Sequence, residues 1–339
     1  MKYYVPFLAI SLFIIIVVFS LKENSPIAHC SEPPGFIGVS TGGGQLGNQM
    51  FDVAAGLAYA WDHNLIPVFV GFDGNENNVS QNRDKVFFRI DTKTQSTIPL
   101  KPYVVSNPGY VNLPPDLINV LLKGGFFSWK YFDHHRDKII DLFAPSQTEL
   151  EQLQQKYADL ISSDKTVSIH VRTFSKKIHE AGCHFVGLDF FEEAMAQFPD
   201  DFIFVVFSDR MNWTKAKFTE RFPGKKFVFI EGNDYIEDFY LMSLMKNHIL
   251  SKSTFSWWAA YLNTFPEKTV YVPIIREKGI KGVLKPIGKR ILTFFGKVFW
   301  WDENFWLPEW KNIYYNVSSY PEDIYHYGDE TRSVCPLDR

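Results

Sequence analysis

Short apolar strands alternate with amphipathic helices through most of the chain. Phe36–Ser40 reads as a strand, a glycine cluster follows it, and a helical pattern runs from Leu46 to His63 before a second strand at Ile66–Val70. Apolar side chains of that helix recur at spacings of three and four residues, which places them on one face. Residues 71–145 are less regular and rich in Pro, Gly and Asn, so no element is predicted there.

The alternation resumes after Pro145. The predicted elements are helices at 147–161, 188–198, 212–221, 235–246 and 255–263, and strands at 166–171, 202–207, 226–230, 248–251 and 269–272. Nearly continuous apolar strands separated by helices are typical of a parallel sheet covered on both faces. Such sheets bind ligands beyond the carboxyl ends of their strands. Residues 273–339 have no clear period, and we expect a tail packed on the body.

An uncharged apolar segment, Tyr3 to Leu21, lies near the N-terminus. As a helix it would be about 28 Å long, close to the roughly 30 Å hydrocarbon thickness of a bilayer. A positive charge precedes it and the charges after it cancel, so the positive-inside rule directs the following chain to the lumen. A cleaved signal peptide is the alternative. The predicted parts are a cytosolic tail at 1–3, a signal-anchor helix at 4–21 and a stem at 22–35.

Composition is that of a globular protein. The formal net charge is −3, which argues against a globally basic nucleic-acid-binding protein, so no nucleic-acid partner is expected. Three glycosylation sequons begin at Asn78, Asn212 and Asn316, in agreement with a lumenal body. In an oxidising lumen Cys183 and Cys335 could pair and leave Cys30 in the stem, but the sequence leaves this pairing open.

The glycine loop at residues 42–47 (GGGQLG) fits three interpretations. It matches G-x-G-x-x-G between a strand and a helix, where backbone N–H groups bind phosphate or a dinucleotide. The overlapping residues 38–42 (GVSTG) match the nucleophile elbow G-x-S-x-G, although Ser40 does not lead directly into a helix. A turn without a ligand is the third interpretation. We favour a loop that faces phosphate.

Four blocks in order resemble glycosyltransferase family 11, the α-1,2-fucosyltransferases. The first is residues 44–51 (GQLGNQMF), and the second, residues 170–172 (HVR), lies where the family has H-x-R-R. Residues 207–209 (FSD) resemble its F-S-D-D segment. The last blocks are residues 238–243 (DFYLMS) and 253–260 (STFSWWAA).

The resemblance implies a GT-B-like fold of two Rossmann-like domains with parallel sheets, preceded by a single transmembrane helix. It implies inverting transfer of L-fucose from GDP-β-L-fucose to the 2-hydroxyl of a terminal galactoside on a glycan. Residues 36–145 would form the acceptor-side domain and 146–272 the GDP-fucose-binding domain. The expected location is the Golgi membrane, as a single-pass type II protein. No Asp-x-Asp occurs, which agrees with a donor site that uses no metal and with no cofactor besides the donor substrate.

Chemistry and resemblance together select the candidate site residues. Arg172 can donate a bidentate fork to the departing diphosphate, and His170, on the same strand face, can orient the sugar or the pyrophosphate. Trp257 and Trp258 are expected in the core rather than against the sugar. The predicted donor-binding residues are Gly47, Asn48, Arg172, Asp209, Asp238, Ser253 and Thr254.

Three positions depart from the family pattern. Thr173 replaces the second Arg of H-x-R-R, Ser175 lies where an acid is usual, and Asp52 lies where the family commonly has Gln. These departures motivate an alternative function, a membrane-anchored glycan-binding or scaffold protein with a degenerate donor site. A lumenal NAD-dependent enzyme is a third hypothesis, based on the glycine loop alone. No residue stands out as the general base.

Overall fold

Two parallel β-sheets covered by helices make up the described part of the protein. The structure is a computed structural model that describes residues 34–41, 43–74, 76–106, 110–180, 184–276, 304–317 and 319–328. The described residues from Gly35 onward belong to one compact unit. The expected tail, anchor and stem at 1–33 and all three cysteines lie outside the described residues. Within the described ranges, no helix has the length and apolar character needed to cross a bilayer.

The first sheet has four strands in the order β2-β1-β4-β3, all parallel. Its strands are β1 (Phe36–Ser40), β2 (Ile66–Val70), β3 (Lys101–Val104) and β4 (Val120–Lys123), with helices α1 (Leu46–Asp62), α2 (Val79–Lys85) and α3 (Arg136–Phe143). Helix α1 lies directly on β1 because Gly56 has no side chain. A Cβ at Gly56 would come within 2.2 Å of Val39 Cγ2.

The second sheet has six strands in the order β10-β9-β8-β5-β6-β7, again all parallel. Its strands are β5 (Thr166–Val171), β6 (Ile203–Ser208), β7 (Lys226–Phe229), β8 (Asn247–Ile249), β9 (Val270–Ile275) and β10 (Lys311–Tyr315). The helices along this part are α4 (Gln147–Lys156), α5 (Ala158–Ser162), α6 (Lys176–Glu180), α7 (Leu188–Met195), α8 (Met211–Arg221), α9 (Tyr235–Ser243) and α10 (Thr254–Leu262). Every residue of the central strand β5 is buried, including the polar Thr166, Ser168 and His170, as in a parallel sheet covered on both faces. The α/β class with parallel sheets is therefore confirmed.

Some elements differ from the sequence prediction. Strands β3 and β4 lie in the segment considered irregular, and β10 lies in the segment considered a tail. The single helix predicted at 147–161 is two helices, because Tyr157 leaves helical geometry at φ −128° and ψ 31°. The predicted boundary between residues 145 and 146 falls between the two sheets and remains a prediction.

Aromatic side chains fill the core between α1, α10 and the C-terminal segment. Trp257 and Trp258 are fully buried, so their expected place in the core is confirmed. Phe51 of α1 lies 4.6 Å from Trp257, centroid to centroid, and Phe132 stacks on Trp258 at 5.2 Å. The indole N–H of Trp257 donates to the carbonyl of Phe305 at 2.7 Å. Much of the aromatic excess therefore joins helices of both sheets.

Candidate active site

The candidate residues follow the carboxyl ends of neighbouring strands. Arg172 comes directly after β5 and Asp209 directly after β6, while Ser251 follows β8, which pairs with β5 on its other side. Carboxyl ends of parallel strands meet at one edge of a sheet, and open α/β sheets bind their ligands there. The structure thus brings the H-x-R segment, the F-S-D segment and the loop before α10 to one edge.

The glycine loop ends in a helix start that has no side-chain cap. Gln45 precedes α1 without a capping side-chain bond, and the first turn of α1 has no acidic residue. Gly44 has φ +71°, a left-handed conformation that favours glycine. Gln49 fixes this loop because its amide donates to the carbonyl of Gly44 at 3.0 Å. No carboxylate in this first turn therefore competes for its backbone N–H groups, which can bind an anion.

Helices α1 and α10 approach each other at their N-terminal ends. The hydroxyl of Thr254 donates to Oδ1 of Asn48 at 2.8 Å, which joins the first and the last sequence block. The approach depends on Gly47, since a Cβ there would lie 2.6 Å from the carbonyl carbon of Thr254 and 2.7 Å from the backbone N of Phe255. Two helix N-termini therefore meet beside the glycine loop, and each carries partial positive charge.

Ser253 caps helix α10. Its hydroxyl oxygen accepts from the backbone N–H of Phe255 at 3.3 Å, which satisfies one of the donors at the helix start. The cap gives Ser253 a structural role, and its predicted contact with the donor stays a prediction. Capping leaves other N–H groups of the first turn available, so it is compatible with anion binding at the same helix end.

His170 joins the end of β5 to the loop before α10. Its Nδ1 is hydrogen-bonded to the hydroxyl of Ser251 at 2.8 Å, and its ring lies 5.6 Å from that of Phe255. Burial, helped by the positive charge of Arg172, lowers the pKa of His170 to about 3. The imidazole is therefore neutral at physiological pH and can position groups by hydrogen bonds, but it carries no charge.

Arg172 is paired with Asp209. Nη1 of the guanidinium lies 3.1 Å from Oδ2 of the carboxylate, and the side chain of Arg172 is only 15% exposed. The other carboxylate oxygen accepts from the backbone N–H and the hydroxyl of Thr173, each at 3.0 Å. Asp209 was predicted to bind the donor. In the structure its two oxygens hold Thr173 and Arg172, so it positions the arginine, and donor contact by Asp209 stays a prediction.

Phe174, directly after this pair, has an unusual backbone conformation. Its φ of 60° lies in the left-handed region, which costs a non-glycine residue about 1–3 kcal/mol. The hydroxyl of Tyr320 donates to the carbonyl of Phe174 at 3.2 Å and helps to hold it. The guanidinium of Arg172 lies 5.3 Å from the centre of the Phe174 ring. A strained residue beside a charged one is a common feature of functional sites.

Asp238 belongs to a different group of contacts. Its Oδ1 accepts from the amide of Asn233 at 3.0 Å, and Oδ1 of Asn233 accepts from Tyr157 and from Lys156. Asn233 follows β7, two strands away from the strand that carries Arg172. These bonds tie α9 to α4, so the direct contact of Asp238 with the donor remains a prediction.

A buried polar network behind the glycine loop was not predicted. The amide of Asn82 donates to Oε1 of Gln49 at 2.7 Å, and the hydroxyl of Tyr235 donates to Oδ1 of Asn82 at 2.7 Å. Gln49 belongs to the first sequence block, which was the available signal. The network links α1, α2 and α9 and so braces the loop from both sheets.

Asp52 is buried one turn further along α1. Burial raises the pKa of its carboxyl well above the usual range, although a backbone hydrogen bond from Phe126 acts in the opposite direction. One oxygen of Asp52 has no hydrogen-bond partner among the described residues. The carboxyl of Asp52 is therefore harder to ionise than an exposed carboxyl.

The three sequon asparagines lie on the surface. Asn78 precedes α2, Asn212 is in the first turn of α8, and Asn316 follows β10; all three are exposed. The amide of Asn212 also donates to the carbonyl of Tyr327 at 3.2 Å. Exposure is what glycosylation requires, and the modification itself stays a prediction.

The chain matches the model of a glycosyltransferase family. The family model described as Glycosyl transferase family 11 matches residues 42–278, most of the described chain. The chain belongs to glycosyltransferase family 11, as the four sequence blocks predict.

Two curated relatives from Escherichia coli are similar to this chain. Alpha-1,2-colitosyltransferase is 33% identical over 162 residues, which are 44% of this chain and 55% of the relative. The O-antigen biosynthesis glycosyltransferase WbnK is 32% identical over 171 residues, which are 45% of this chain and 55% of the relative. The chain spans about half the length of the curated relatives it matches.

A solved structure is also similar. A single-residue variant of Arabidopsis thaliana FUT1 in complex with GDP aligns at a TM-score of 0.44 and 12% sequence identity, over 77% of this chain and 74% of that one.

Proposed function

We propose that the protein transfers L-fucose from GDP-β-L-fucose to the 2-hydroxyl of a terminal galactoside, with inversion at the anomeric carbon. The proposal rests mainly on the Thr254–Asn48 hydrogen bond. This bond joins the N-terminal ends of two helices, neither of which has an acidic residue in its first turn, at the sheet edge that holds Arg172. Membership in family 11 supports the reaction class. A GT-B-like division into an acceptor-side domain at 36–145 and a donor domain at 146–272 fits the two sheets.

In this proposal the pyrophosphate lies between the N-termini of α1 and α10. N–H donors at a helix start and the helix dipole both favour a negative group. Arg172 neutralises the charge that develops on the β-phosphate as the sugar leaves. A preorganised donor of this kind contributes about 3–4 kcal/mol to the transition state. Asp209 holds the guanidinium in place beforehand, so little reorganisation is needed during reaction.

The bonds exchanged are simple to state. The galactose O2 forms a bond to the anomeric carbon as the bond from that carbon to the diphosphate oxygen breaks, and GDP takes the electron pair. The hydroxyl proton passes to a base or to water. His170 is neutral and hydrogen-bonded to Ser251, so its role is to orient the donor rather than to carry charge. The donor site uses no metal.

The donor sugar is tested by comparing GDP-fucose with GDP-colitose, since one curated relative is named an α-1,2-colitosyltransferase. Purified protein is supplied with GDP-fucose or GDP-colitose and a panel of β-galactosides, and the product linkage is determined by NMR. We expect an α-1,2-linked fucosyl galactoside. A product formed only from GDP-colitose, or a linkage to another hydroxyl, would replace the proposed donor or acceptor position while leaving the reaction class intact.

The location is also a proposal. The apolar segment at 4–21 supports a single-pass type II protein of the Golgi membrane, with the body in the lumen. Exposed Asn78, Asn212 and Asn316 are the glycosylation sites of that lumenal body. Endoglycosidase treatment of the protein from a eukaryotic host, followed by peptide mass spectrometry, tests each asparagine separately.

A further inference from the structure

Two imidazoles converge on one carboxylate at the C-terminal end of α1. Nε2 of His134 lies 2.8 Å from Oδ2 of Asp62, and Nε2 of His135 lies 2.8 Å from Oδ1 of the same residue. The three candidate ligand atoms all lie within 4.8 Å of one another. Since helix α1 has 17 residues, this cluster is about 24 Å from the glycine loop and takes no part in the donor site.

The histidines sit on an anchored segment. Asp133, directly before them, accepts from the hydroxyl of Tyr261 at 3.0 Å and from Nε of Arg136 at 2.8 Å. Nη2 of Arg136 continues to Glu309 at 2.9 Å. These contacts fix the short 3-10 helix Asp133–His135 against α10 and the C-terminal segment, so both imidazoles are held in position by a rigid support.

Asp62 is equally well placed on its own element. It is the last residue of α1, and the preceding Trp61 packs edge-on against the ring of His135 with centroids 5.1 Å apart.

Two imidazoles and one carboxylate are ligand types that zinc takes in proteins. Zn²⁺ takes imidazole nitrogens at about 2.0–2.1 Å and carboxylate oxygens at about 2.0–2.2 Å, so tetrahedral ligand atoms lie about 3.3 Å apart. Small side-chain movements reach that spacing from the present one. The side chains of His134 and Asp62 are 48% and 38% exposed, so the ion can enter and water can complete its coordination. A depression of about 120 Å³, lined by Tyr59, Tyr110 and His134 among others, adjoins the cluster.

We propose that Asp62, His134 and His135 bind one Zn²⁺ ion that fastens the end of α1 to the segment before α3. The ion would lie at the opposite end of α1 from the glycine loop, so it would take no part in the proposed sugar transfer. Replacing two N–H···O hydrogen bonds by metal–ligand bonds would stabilise the folded state, and the stabilisation would grow with the logarithm of the zinc concentration above the dissociation constant.

Calorimetric titration of chelator-treated protein with ZnCl₂ tests the proposal without substrate. We expect one saturable site per chain, weakened at least tenfold in His134→Ala and in His135→Ala and unchanged in His326→Ala, an exposed histidine on another 3-10 helix. Co²⁺ at the same site should give the visible absorption of a tetrahedral ion. If a substituted chain fails to fold, His134→Gln and Asp62→Asn are the replacements to use. Absence of saturable binding, or equal binding by all the variants, would overturn the proposal.

Discussion

Nη1 of Arg172 lies 3.1 Å from Oδ2 of Asp209, and this ion pair joins the ends of two neighbouring strands. Thr173 occupies the other oxygen of the same carboxylate with its N–H and hydroxyl groups. The residue that replaces the family's second arginine is thus fully buried and supports the first arginine. Thr173 therefore helps to hold Arg172 through Asp209, and its presence is compatible with the proposed donor site.

Replacing Asp209 by Asn should reduce turnover. The amide still accepts from Thr173 but loses the charge that orients Arg172. A hydrogen bond to a charged group is worth about 1.5–3 kcal/mol, so kcat for fucosyl transfer should fall roughly 10- to 100-fold with a smaller change in KM. The control is Asp189→Asn, an exposed carboxylate 3.5 Å from Arg221, which should leave kcat unchanged. A lower melting temperature with full activity of the folded fraction would assign Asp209 a merely structural role.

Gly47→Ala should separate the two helix starts. The new methyl group would meet the backbone of Thr254 and Phe255, which cannot move as freely as a side chain. Overpacking of this kind costs about 1–3 kcal/mol. We expect GDP affinity, measured by calorimetry, to fall about tenfold or more. Gly43→Ala in the same loop has no heavy atom within 4 Å of its Cβ and should bind GDP like the wild type. Equal GDP affinity in both variants would show that GDP binding does not depend on the close approach of α1 and α10.

His170 should make the protein less stable in acid. Its pKa is about 3 when folded, against about 6.5 for an exposed imidazole, so the unfolded state binds the extra proton between these values. Stability is therefore complete above pH 6.5 and declines as the pH falls toward 3, by up to about 1.4 kcal/mol per pH unit. His170→Asn keeps a group near Ser251 without the titration, so its unfolding free energy should depend less on pH in this range. Equal slopes in urea titrations of both proteins at pH 4–8 would contradict the buried, neutral histidine.

Asp52 should make the folded protein less stable as the pH rises, the opposite of the pH dependence expected from His170. Burial raises its pKa in the folded state, so the folded protein holds a proton that the unfolded chain has released. The folded state is therefore penalised as the pH rises above about 3.9, until the folded pKa is passed. Asp52→Asn has nearly the same shape and no such penalty, so its stability relative to the wild type should grow between pH 4 and 7. A constant difference across that range would show that the carboxyl is already ionised in the folded protein.

The strongly apolar strands were predictable because both faces of the central sheet are buried. β6 is a nearly continuous run of apolar residues, and the ends of β5 and β6 were each predicted to within one residue. β3 has exposed positions and lies at the edge of its sheet, so its sequence lacks the pattern of a buried strand. β10 joins β9 across a long sequence separation, and only the tertiary fold creates that pairing.

The sequence indicated which residues belong to the candidate site, but not which of them contact each other. Asn48, Arg172 and Thr254 were selected by type and motif, and the structure brings Asn48 and Thr254 into contact. The sequence did not predict the contact of Asp209 with Arg172, because only the pairing of β5 with β6 brings the two segments together. The neutral state of His170 was equally hidden, since it depends on how deeply the ring is buried.

The most direct measurement is the turnover of GDP-fucose by the purified protein in the presence of EDTA, with lactose or another β-galactoside as acceptor. We expect an α-1,2-fucosyl product from the wild type and from Arg221→Ala, which changes an exposed arginine, and a loss of about two orders of magnitude or more in Arg172→Ala. Absence of turnover together with absence of GDP binding would contradict the proposed fucosyl transfer and favour a glycan-binding protein with a degenerate donor site. Turnover by Arg172→Ala equal to that of the wild type would equally contradict the role given to Arg172.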